Sequence, residues 1–158
     1  MSKTVTVWLH CSASDWGNAV AIDEWHRKRT PPFRMIGYHR VFLNGKMAHG
    51  QPYVERLDGI VETGRPYGVT GAHTLGHNKD IGWCLIGNSG KFTTKQMVSM
   101  VHEIACLIKE DGYDVVRVRQ HSEADPVNKP FCAGFTDEEM IEFNIVGNGY
   151  GEFITRDK

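Results

Sequence analysis

One amphipathic stretch constrains the fold more than any other feature of this sequence. Thr93 and Gln96 have the spacing of a capping box, which opens a helix, and Gly112 suits the left-handed position that ends one. Between them, apolar residues recur at helical spacing on one face: Met97, Met100, Val101, Ile104, Leu107 and Ile108. The pattern predicts a helix whose apolar face is buried.

Strand-like segments lie on both sides of this helix in the sequence. Alternating apolar and polar residues, many of them β-branched, predict strands over residues 4–10, 38–43, 59–63 and 114–120. The more apolar segment 80–86 is typical of a strand at the centre of a sheet. Asn44 and Gly45 favour a tight hairpin turn after the second strand, because both tolerate a positive φ.

Two further helices complete the pattern. Asn18 can cap a helix that runs to about residue 28, before the prolines at 31 and 32. Thr136 and Glu139 repeat the capping box ahead of a short helix that ends near residue 146. Strands interleaved with helices predict an α/β (α+β) fold, a single domain with a central mixed β-sheet flanked by helices. We expect this domain to span residues 1–158, with a core over 4–146 and a tail over 147–158.

Charge and hydropathy exclude two classes of protein. The formal net charge is −1, which lacks the basic footprint of a nucleic-acid-binding protein. No apolar run approaches the roughly 20 residues that span a bilayer, so we expect no membrane insertion. The first residues also lack the apolar stretch of a signal peptide. We therefore expect synthesis in the cytoplasm.

Three residues with metal-binding side chains follow predicted strands. His10 closes the first strand, His121 comes directly after the strand 114–120, and Cys132 lies in the next loop. Ends of neighbouring strands meet at one edge of a sheet, so these residues can share a site. Two imidazoles and a thiolate suit zinc, and three protein ligands leave a fourth position for water, as in catalytic sites.

These residue types alone also fit a structural interpretation. A single histidine at a strand end more often makes structural hydrogen bonds, and a single buried cysteine more often acts as a small hydrophobic residue. No short-range CxxC or HExxH spacing favours the metal.

Five motifs in order extend the pattern over most of the chain. They are WLHCSA (8–13), GYHRVF (37–42), GAHTLGHN (71–78), DIGWCLIG (80–87) and RQHSEADPVNKPFCAGF (119–135). Together they resemble the N-acetylmuramoyl-L-alanine amidases of the phage lysozyme and peptidoglycan-recognition-protein type, the type 2 amidases. The resemblance runs from about residue 5 to residue 135 and implies the fold of that family. It also implies a phage-type endolysin that hydrolyses the amide bond between N-acetylmuramic acid and L-alanine.

The resemblance implies roles for individual residues. One zinc ion would be bound by His10, His121 and Cys132, and Tyr38 and Lys129 match the family's catalytic tyrosine and lysine. A phenol and an ammonium group suit amide hydrolysis, because both can stabilise the negative oxygen of a tetrahedral intermediate.

Further residues of the motifs are substrate-binding candidates. His39, His73 and Asn78 fall in segments that line the substrate groove of relatives, although they could equally hold the loop 64–79 in shape. His26 matches no catalytic position of the family. Cys11 follows a proposed ligand, and the alternation of a strand predicts that it points to the opposite face.

The sequence departs from the family pattern in two places. Lys129 and Cys132 are three residues apart, whereas many relatives have them two apart, which weakens the match of Lys129. Residues 44–56 also look inserted, as an extra hairpin or a flap over the groove. Met47, His49 and Tyr53 would then contact substrate, and a passive surface loop is the alternative.

Two other functions compete with the zinc amidase. A recognition domain would bind peptidoglycan without cutting it, although non-catalytic relatives usually lack one of the three ligands. A cysteine hydrolase would use Cys132 as nucleophile and His121 as base. The resemblance implies peptidoglycan (muropeptide) as the partner, a monomer, and action on the wall once the membrane is breached. Phage relatives can also bind a polymerase, and no residue here supports or excludes that partner.

Overall fold

Five strands form one mixed sheet in residues 2–150, the part of the chain that this computed structural model describes. They are β1 (Thr4–Cys11), β2 (Arg40–Asn44), β3 (Asp58–Thr63), β4 (Ile81–Leu85) and β5 (Val115–Gln120), in the spatial order β3-β2-β4-β1-β5. All neighbouring pairs are parallel except β2 and β3, which are antiparallel. The mixed central sheet predicted from the sequence is confirmed.

β4 lies at the centre of this sheet, between β2 and β1. All five of its residues are buried, and Trp83 and Leu85 are fully so. A strand that is covered on both faces needs apolar residues at successive positions, which is the pattern of this segment. The prediction of a central strand over 80–86 is therefore confirmed.

Helices cover both faces of the sheet. On one face, α2 (Thr94–Lys109) buries Met100, Ile104 and Leu107 in a cluster that includes Leu9 and Trp83. On the other face, α1 (Ala19–Lys28) buries Ile22 in a cluster that includes Val41. Two shorter helices follow β5, α3 (His121–Ala124) and α4 (Asp137–Ile145). Alternate residues of the strands thus enter two separate apolar layers.

The predicted helix starts are formed as expected. The side chain of Asn18 accepts a hydrogen bond from the backbone of Ala21 at 2.7 Å, and capping boxes open both α2 and α4. Gln96, which completes the box of α2, is fully buried. Its amide also donates to the carbonyl oxygens of Phe42 and Ile86, each at 2.9 Å. The same side chain therefore starts α2 and binds α2 to the sheet.

The tight hairpin predicted at Asn44 and Gly45 is wrong. β2 and β3 do pair in antiparallel fashion, but a long loop and a 3₁₀ turn (Glu55–Leu57) connect them. Gly45 has φ +90° and its carbonyl accepts from the backbone N–H of Val54 at 2.8 Å, so the loop leaves the sheet and returns. A Cβ at Gly45 would meet the ring of Tyr53 at 2.6 Å, which explains the glycine without a two-residue turn.

Two predicted boundaries differ from the structure. The strand predicted over 38–43 begins at Arg40, so Tyr38 and His39 precede β2. After α4 the chain continues as a π-helical turn, Val146–Tyr150, and residues 151–158 of the predicted tail lie outside the described residues. Over the described part of the chain, none of the helices has the length and apolar character that crossing a membrane requires.

Candidate metal centre

Three potential metal ligands meet at the carboxyl ends of two neighbouring strands. His10 is the next-to-last residue of β1, and His121 directly follows β5 as the first residue of α3. The parallel register pairs Leu9 with Gln120, so the residue after each emerges beside the other. Cys132 reaches the same place from the loop after α3. Its sulfur and one ring nitrogen of each histidine all lie within 4.8 Å of one another.

The two histidines are neutral at physiological pH. Their Nδ1 atoms face each other at 3.0 Å, and His10 is 1% exposed. Burial, followed by the nearby His121, holds the pKa of His10 well below its usual value. Burial, followed by the cation of Lys129, also lowers the pKa of His121. A neutral imidazole is the form that binds a metal, so both rings are in the required state.

A second cysteine lies beside the sulfur of Cys132. The backbone N–H of Cys11 donates to Sγ of Cys132 at 3.3 Å. Hydrogen bonding between the two side chains lowers the pKa of Cys11 to about 7 and raises that of Cys132, so the pair loses its first proton near neutral pH. Cys11 packs on the α2 side of the sheet, as the strand alternation predicts. Its contact with Cys132 is not evident from that alternation.

Tyr38 packs its ring against that of His10. It precedes β2, is half-buried, and places its ring centroid 5.0 Å from that of His10. Burial, with the neighbouring Cys84 adding to the effect, raises the pKa of the phenol well above its usual value. The side chain therefore stays protonated and can act as a hydrogen-bond donor at this point.

An open pocket of about 550 Å³ borders the group of ligands. Its walls include Tyr38, His73, His121 and Lys129, so the two residues with expected catalytic roles share one pocket with a potential metal ligand. Lys129 is exposed, and its backbone N–H donates to the carbonyl of Asp125 at 2.9 Å. The additional residue between lysine and cysteine thus leaves Lys129 at the pocket.

Two of the predicted substrate-binding residues also line this pocket, but several of their polar atoms are hydrogen-bonded to neighbouring groups of the protein. Oδ1 of Asn78 accepts from the backbone N–H groups of His73 and Thr74 at 2.7 and 2.8 Å. The ring of His73 contacts Thr74, His10 and the carbonyl of Asp80. Burial lowers the pKa of His73 to about 4, so this ring is neutral.

His39 does not reach the pocket as a substrate ligand. It is 2% exposed, and Nδ1 accepts from the backbone N–H of Gly82 at 3.0 Å. Nε2 lies 2.7 Å from the carbonyl of Val69, to which it can only donate. Both nitrogens are therefore engaged with backbone groups, and the geometry supports the alternative interpretation, in which His39 fixes the loop 64–79 against β4.

Comparison with known sequences identifies relatives of this chain. No model of a known protein family matches the chain. The endolysin of Escherichia phage T7 is 30% identical over 167 aligned positions, which cover 99% of this chain and 93% of the phage protein. The chain belongs to the phage endolysin family. The endolysin of Enterobacteria phage T3 is 29% identical over 168 positions, with the same two shares covered.

Several solved structures superpose on the fold of this endolysin. The N-acetylmuramoyl-L-alanine amidase LysCS from Clostridium intestinale superposes with a TM-score of 0.68 at 21% identity, over 90% of this chain and 85% of that one. Wild-type Drosophila PGRP-LB superposes with a TM-score of 0.62 at 20% identity, over 84% and 75%. The endolysin therefore has the fold shared by these amidases and peptidoglycan recognition proteins.

Sequence reasoning missed three pocket residues of the endolysin, at and after the end of α1: His26, Arg29 and Phe33. Nδ1 of His26 accepts from the backbone N–H of Gly37 at 2.9 Å, and its ring lies 5.4 Å from that of Tyr38. Arg29 stacks its guanidinium on Phe33, 4.1 Å from the ring centroid. Residues 26–29 are all basic, and cations at the end of a helix favourably oppose its dipole. Because this explains the basic residues without a site, the sequence does not indicate that Arg29 lines a pocket.

The inserted segment of the endolysin lies away from the pocket. None of residues 44–56 lines it. Met47 packs on the α1 side of the core. The ring centroids of His49 and Trp16 are 6.3 Å apart, and the hydroxyl of Tyr53 donates to the carboxylate of Asp58 at 2.7 Å. Of the two interpretations of this segment, the structure favours the surface loop over a flap on this pocket.

Proposed function

We propose that this endolysin is a zinc-dependent N-acetylmuramoyl-L-alanine amidase that hydrolyses the amide bond between N-acetylmuramic acid and L-alanine in peptidoglycan. Family membership and fold support the coarser description, a cell-wall-lysing amidase. One observation carries the finer proposal. Two imidazole nitrogens and a thiol converge within 4.8 Å, beside a protonated phenol and a lysine in the same pocket.

The donor set suits zinc. His10, His121 and Cys132 offer two nitrogens and one sulfur, and three protein ligands are typical of catalytic rather than structural zinc sites. When bound, zinc polarises a carbonyl group and lowers the pKa of a water ligand to about 7. Both histidines are already neutral, which is the form that binds such a cation.

Tyr38 and Lys129 supply charge stabilisation in this proposal. Attack on the scissile carbonyl makes its oxygen negative. Tyr38 keeps its proton at neutral pH and can donate a hydrogen bond to that oxygen. The ammonium of Lys129, which lines the same pocket, adds positive charge. Both interactions strengthen as the charge develops, so they stabilise the transition state more than the bound substrate.

Asn78 remains a proposed substrate contact. Its oxygen is engaged by the loop, so its amide N–H groups are the part that can reach a sugar-peptide ligand in the pocket. We propose that the whole chain, residues 1–158, acts as one catalytic domain and as a monomer on the wall after the membrane is breached. Peptidoglycan is the substrate partner in this scheme.

Digestion of purified peptidoglycan tests the proposal. The reaction is run with the protein alone, with chelator, and with chelator followed by zinc, and soluble products are identified by mass spectrometry. We expect the protein alone to release peptides with a free N-terminal alanine and to leave the glycan strands intact. Chelator should stop the release of these peptides, and added zinc should restore it. Cleavage that persists after complete metal removal would instead indicate a thiolate nucleophile.

Matched variants sharpen this test. Cys132→Ser should lose bound zinc and activity, whereas Cys106→Ser, in the middle of α2 and outside the group of ligands, should keep both. If the wild-type protein sediments with the wall but cuts no bond under any metal condition, the catalytic proposal fails and the chain is a recognition domain.

A further inference from the structure

A hydrogen-bonded triangle lies behind His10, on the side of the ring away from His121. Its corners are Nε2 of His10, Nδ1 of His73 and Oγ1 of Thr74. The separations are 3.3 Å between the two histidines, 3.1 Å from His10 to Thr74 and 2.8 Å from His73 to Thr74. All three residues are buried, with Thr74 2% exposed. The proton positions in the triangle follow from the hydrogen-bond partners of its three polar atoms.

The ring nitrogen of His73 that lies outside the triangle, Nε2, determines those proton positions. Its Nε2 lies 3.0 Å from the carbonyl oxygen of Asp80, which can only accept, so Nε2 carries the proton of the neutral ring. Nδ1 of His73 is consequently an acceptor. Thr74 has one hydroxyl proton, and its short contact with Nδ1 directs that proton to His73.

His10 must then be the donor in the triangle. The lone pairs of Thr74 Oγ1 face Nε2 of His10, so this nitrogen needs a proton to make a bond. A direct bond from His10 to Nδ1 of His73 would require the same proton. His10 is therefore the tautomer with hydrogen on Nε2 and a lone pair on Nδ1, the nitrogen that faces His121.

We infer that Thr74, supported by His73, is a positioning residue that presents Nδ1 of His10 to the metal. The inference rests on the proposed zinc site. Oδ1 of Asn78 holds the backbone of both residues and so fixes the triangle on its loop. A metal-bound histidine commonly donates its second N–H to a fixed acceptor, which sets the orientation of the ring and raises its basicity. Here that acceptor is a hydroxyl backed by an imidazole and a carbonyl.

Metal affinity gives the first test. Thr74→Val keeps the shape of the side chain and removes the hydroxyl. We expect its zinc affinity to fall by about tenfold to a hundredfold, the usual cost of removing such a partner, as measured by competition of the full-length protein with a chromophoric chelator. Thr74→Ser should restore most of the affinity. Thr63→Val, at the exposed end of β3, makes the same chemical change away from the site and should have no effect.

The tautomer of His10 gives a second and independent readout. Long-range ¹H–¹⁵N NMR of histidine-labelled protein should show Nε2 of His10 protonated in the wild type, with and without zinc, and a mixture of tautomers in metal-free Thr74→Val. A Thr74→Val protein with wild-type zinc affinity and a single tautomer would overturn the inference while leaving the zinc site intact. If the wild type binds no zinc, the proposed function fails separately, and the metal-free spectra still test the triangle.

Discussion

Tyr38 illustrates how a single residue outside the regular elements contributes to the centre. It precedes β2, yet its ring packs on that of His10 and its phenol stays protonated through burial. Tyr38→Phe removes only the hydroxyl. We expect the rate of peptidoglycan hydrolysis to fall about a hundredfold or more, as for the loss of one oxyanion donor, with zinc content unchanged.

The control for this variant is Tyr53→Phe. Tyr53 donates to Asp58 in the surface loop and lies outside the pocket, so its loss should reduce stability slightly and leave the rate unchanged. Initial rates of release of soluble peptide, at matched zinc content, measure both variants. A Tyr38→Phe enzyme with wild-type rates would remove the phenol from the proposed chemistry.

His26 should make folding stability depend on pH. Burial, followed by the charge of Arg29, lowers its folded-state pKa from the usual 6.5 to about 4, and its Nδ1 must stay unprotonated to accept from Gly37. The unfolded chain therefore binds a proton that the folded chain excludes, and the contribution of His26 is present above pH 6.5 and is lost as the pH falls toward 4.

Urea unfolding between pH 4 and 7.5 measures this effect. We expect the unfolding midpoint to decrease on acidification, and His26→Gln to weaken that decrease, since a glutamine oxygen can accept from Gly37 without titrating. His102→Gln, on the surface of α2, is the matched control. An unchanged pH dependence in His26→Gln would assign the decrease to other groups, such as His73, whose pKa is also lowered to about 4.

At the scale of elements, α2 depends on one buried amide. Gln96 completes the capping box with Thr93 and also donates to the carbonyls of Phe42 and Ile86. Gln96→Leu removes the cap bond and leaves buried carbonyl groups without this donor. We expect a loss of about 2–4 kcal/mol in the free energy of unfolding, the sum of a cap and an unsatisfied buried group.

The control is Thr136→Ala, which breaks only the capping box of α4 and should cost about 1 kcal/mol. Denaturant unfolding of both variants, with zinc present throughout, gives the comparison. Equal losses in the two would show that the bonds from Gln96 to the sheet add nothing to its role as a cap.

Local signals account for the elements that the sequence predicted well. The caps at Asn18, Thr93 and Thr136 depend on neighbours within three residues, and all three are formed. The prediction of a tight turn at Gly45 is wrong, because this glycine leaves room for the ring of Tyr53, eight positions further along a loop. Contacts between residues that are not close in the sequence cannot be predicted from local spacing.

The candidate site likewise contains some residues that local sequence signals predict and others whose roles depend on contacts in the folded chain. Motifs and strand ends single out His10, His121 and Cys132, and the structure brings their ligand atoms together. The role of Thr74 depends on a triangle whose members are 63 and 64 residues apart from His10 in the chain, so only the folded structure reveals it. His39 is a substrate candidate because its motif lines the groove of relatives, and the sequence leaves open whether it holds the loop 64–79 instead. Its burial against β4 depends on contacts that form only in the folded chain.

At the scale of the whole molecule, the candidate metal centre joins distant parts of the chain. His10 and His121 are 111 residues apart, and all four cysteines are free, so no disulfide supports this edge of the sheet. A metal bound here would tie β1, α3 and the loop of Cys132 together. Any ligand that binds only the folded state raises its stability in proportion to the logarithm of its free concentration.

Zinc should therefore stabilise the entire domain. At a free concentration about a hundred times its dissociation constant, the gain is about 2.7 kcal/mol, which raises the melting temperature of a domain of this size by roughly 5–10 °C. Differential scanning calorimetry of the metal-free and zinc-loaded protein measures this shift. Cys132→Ser should lose most of it, and Cys106→Ser should keep it. Identical melting temperatures with and without zinc in the wild-type protein would mean that the three side chains meet for a structural reason and hold no ion.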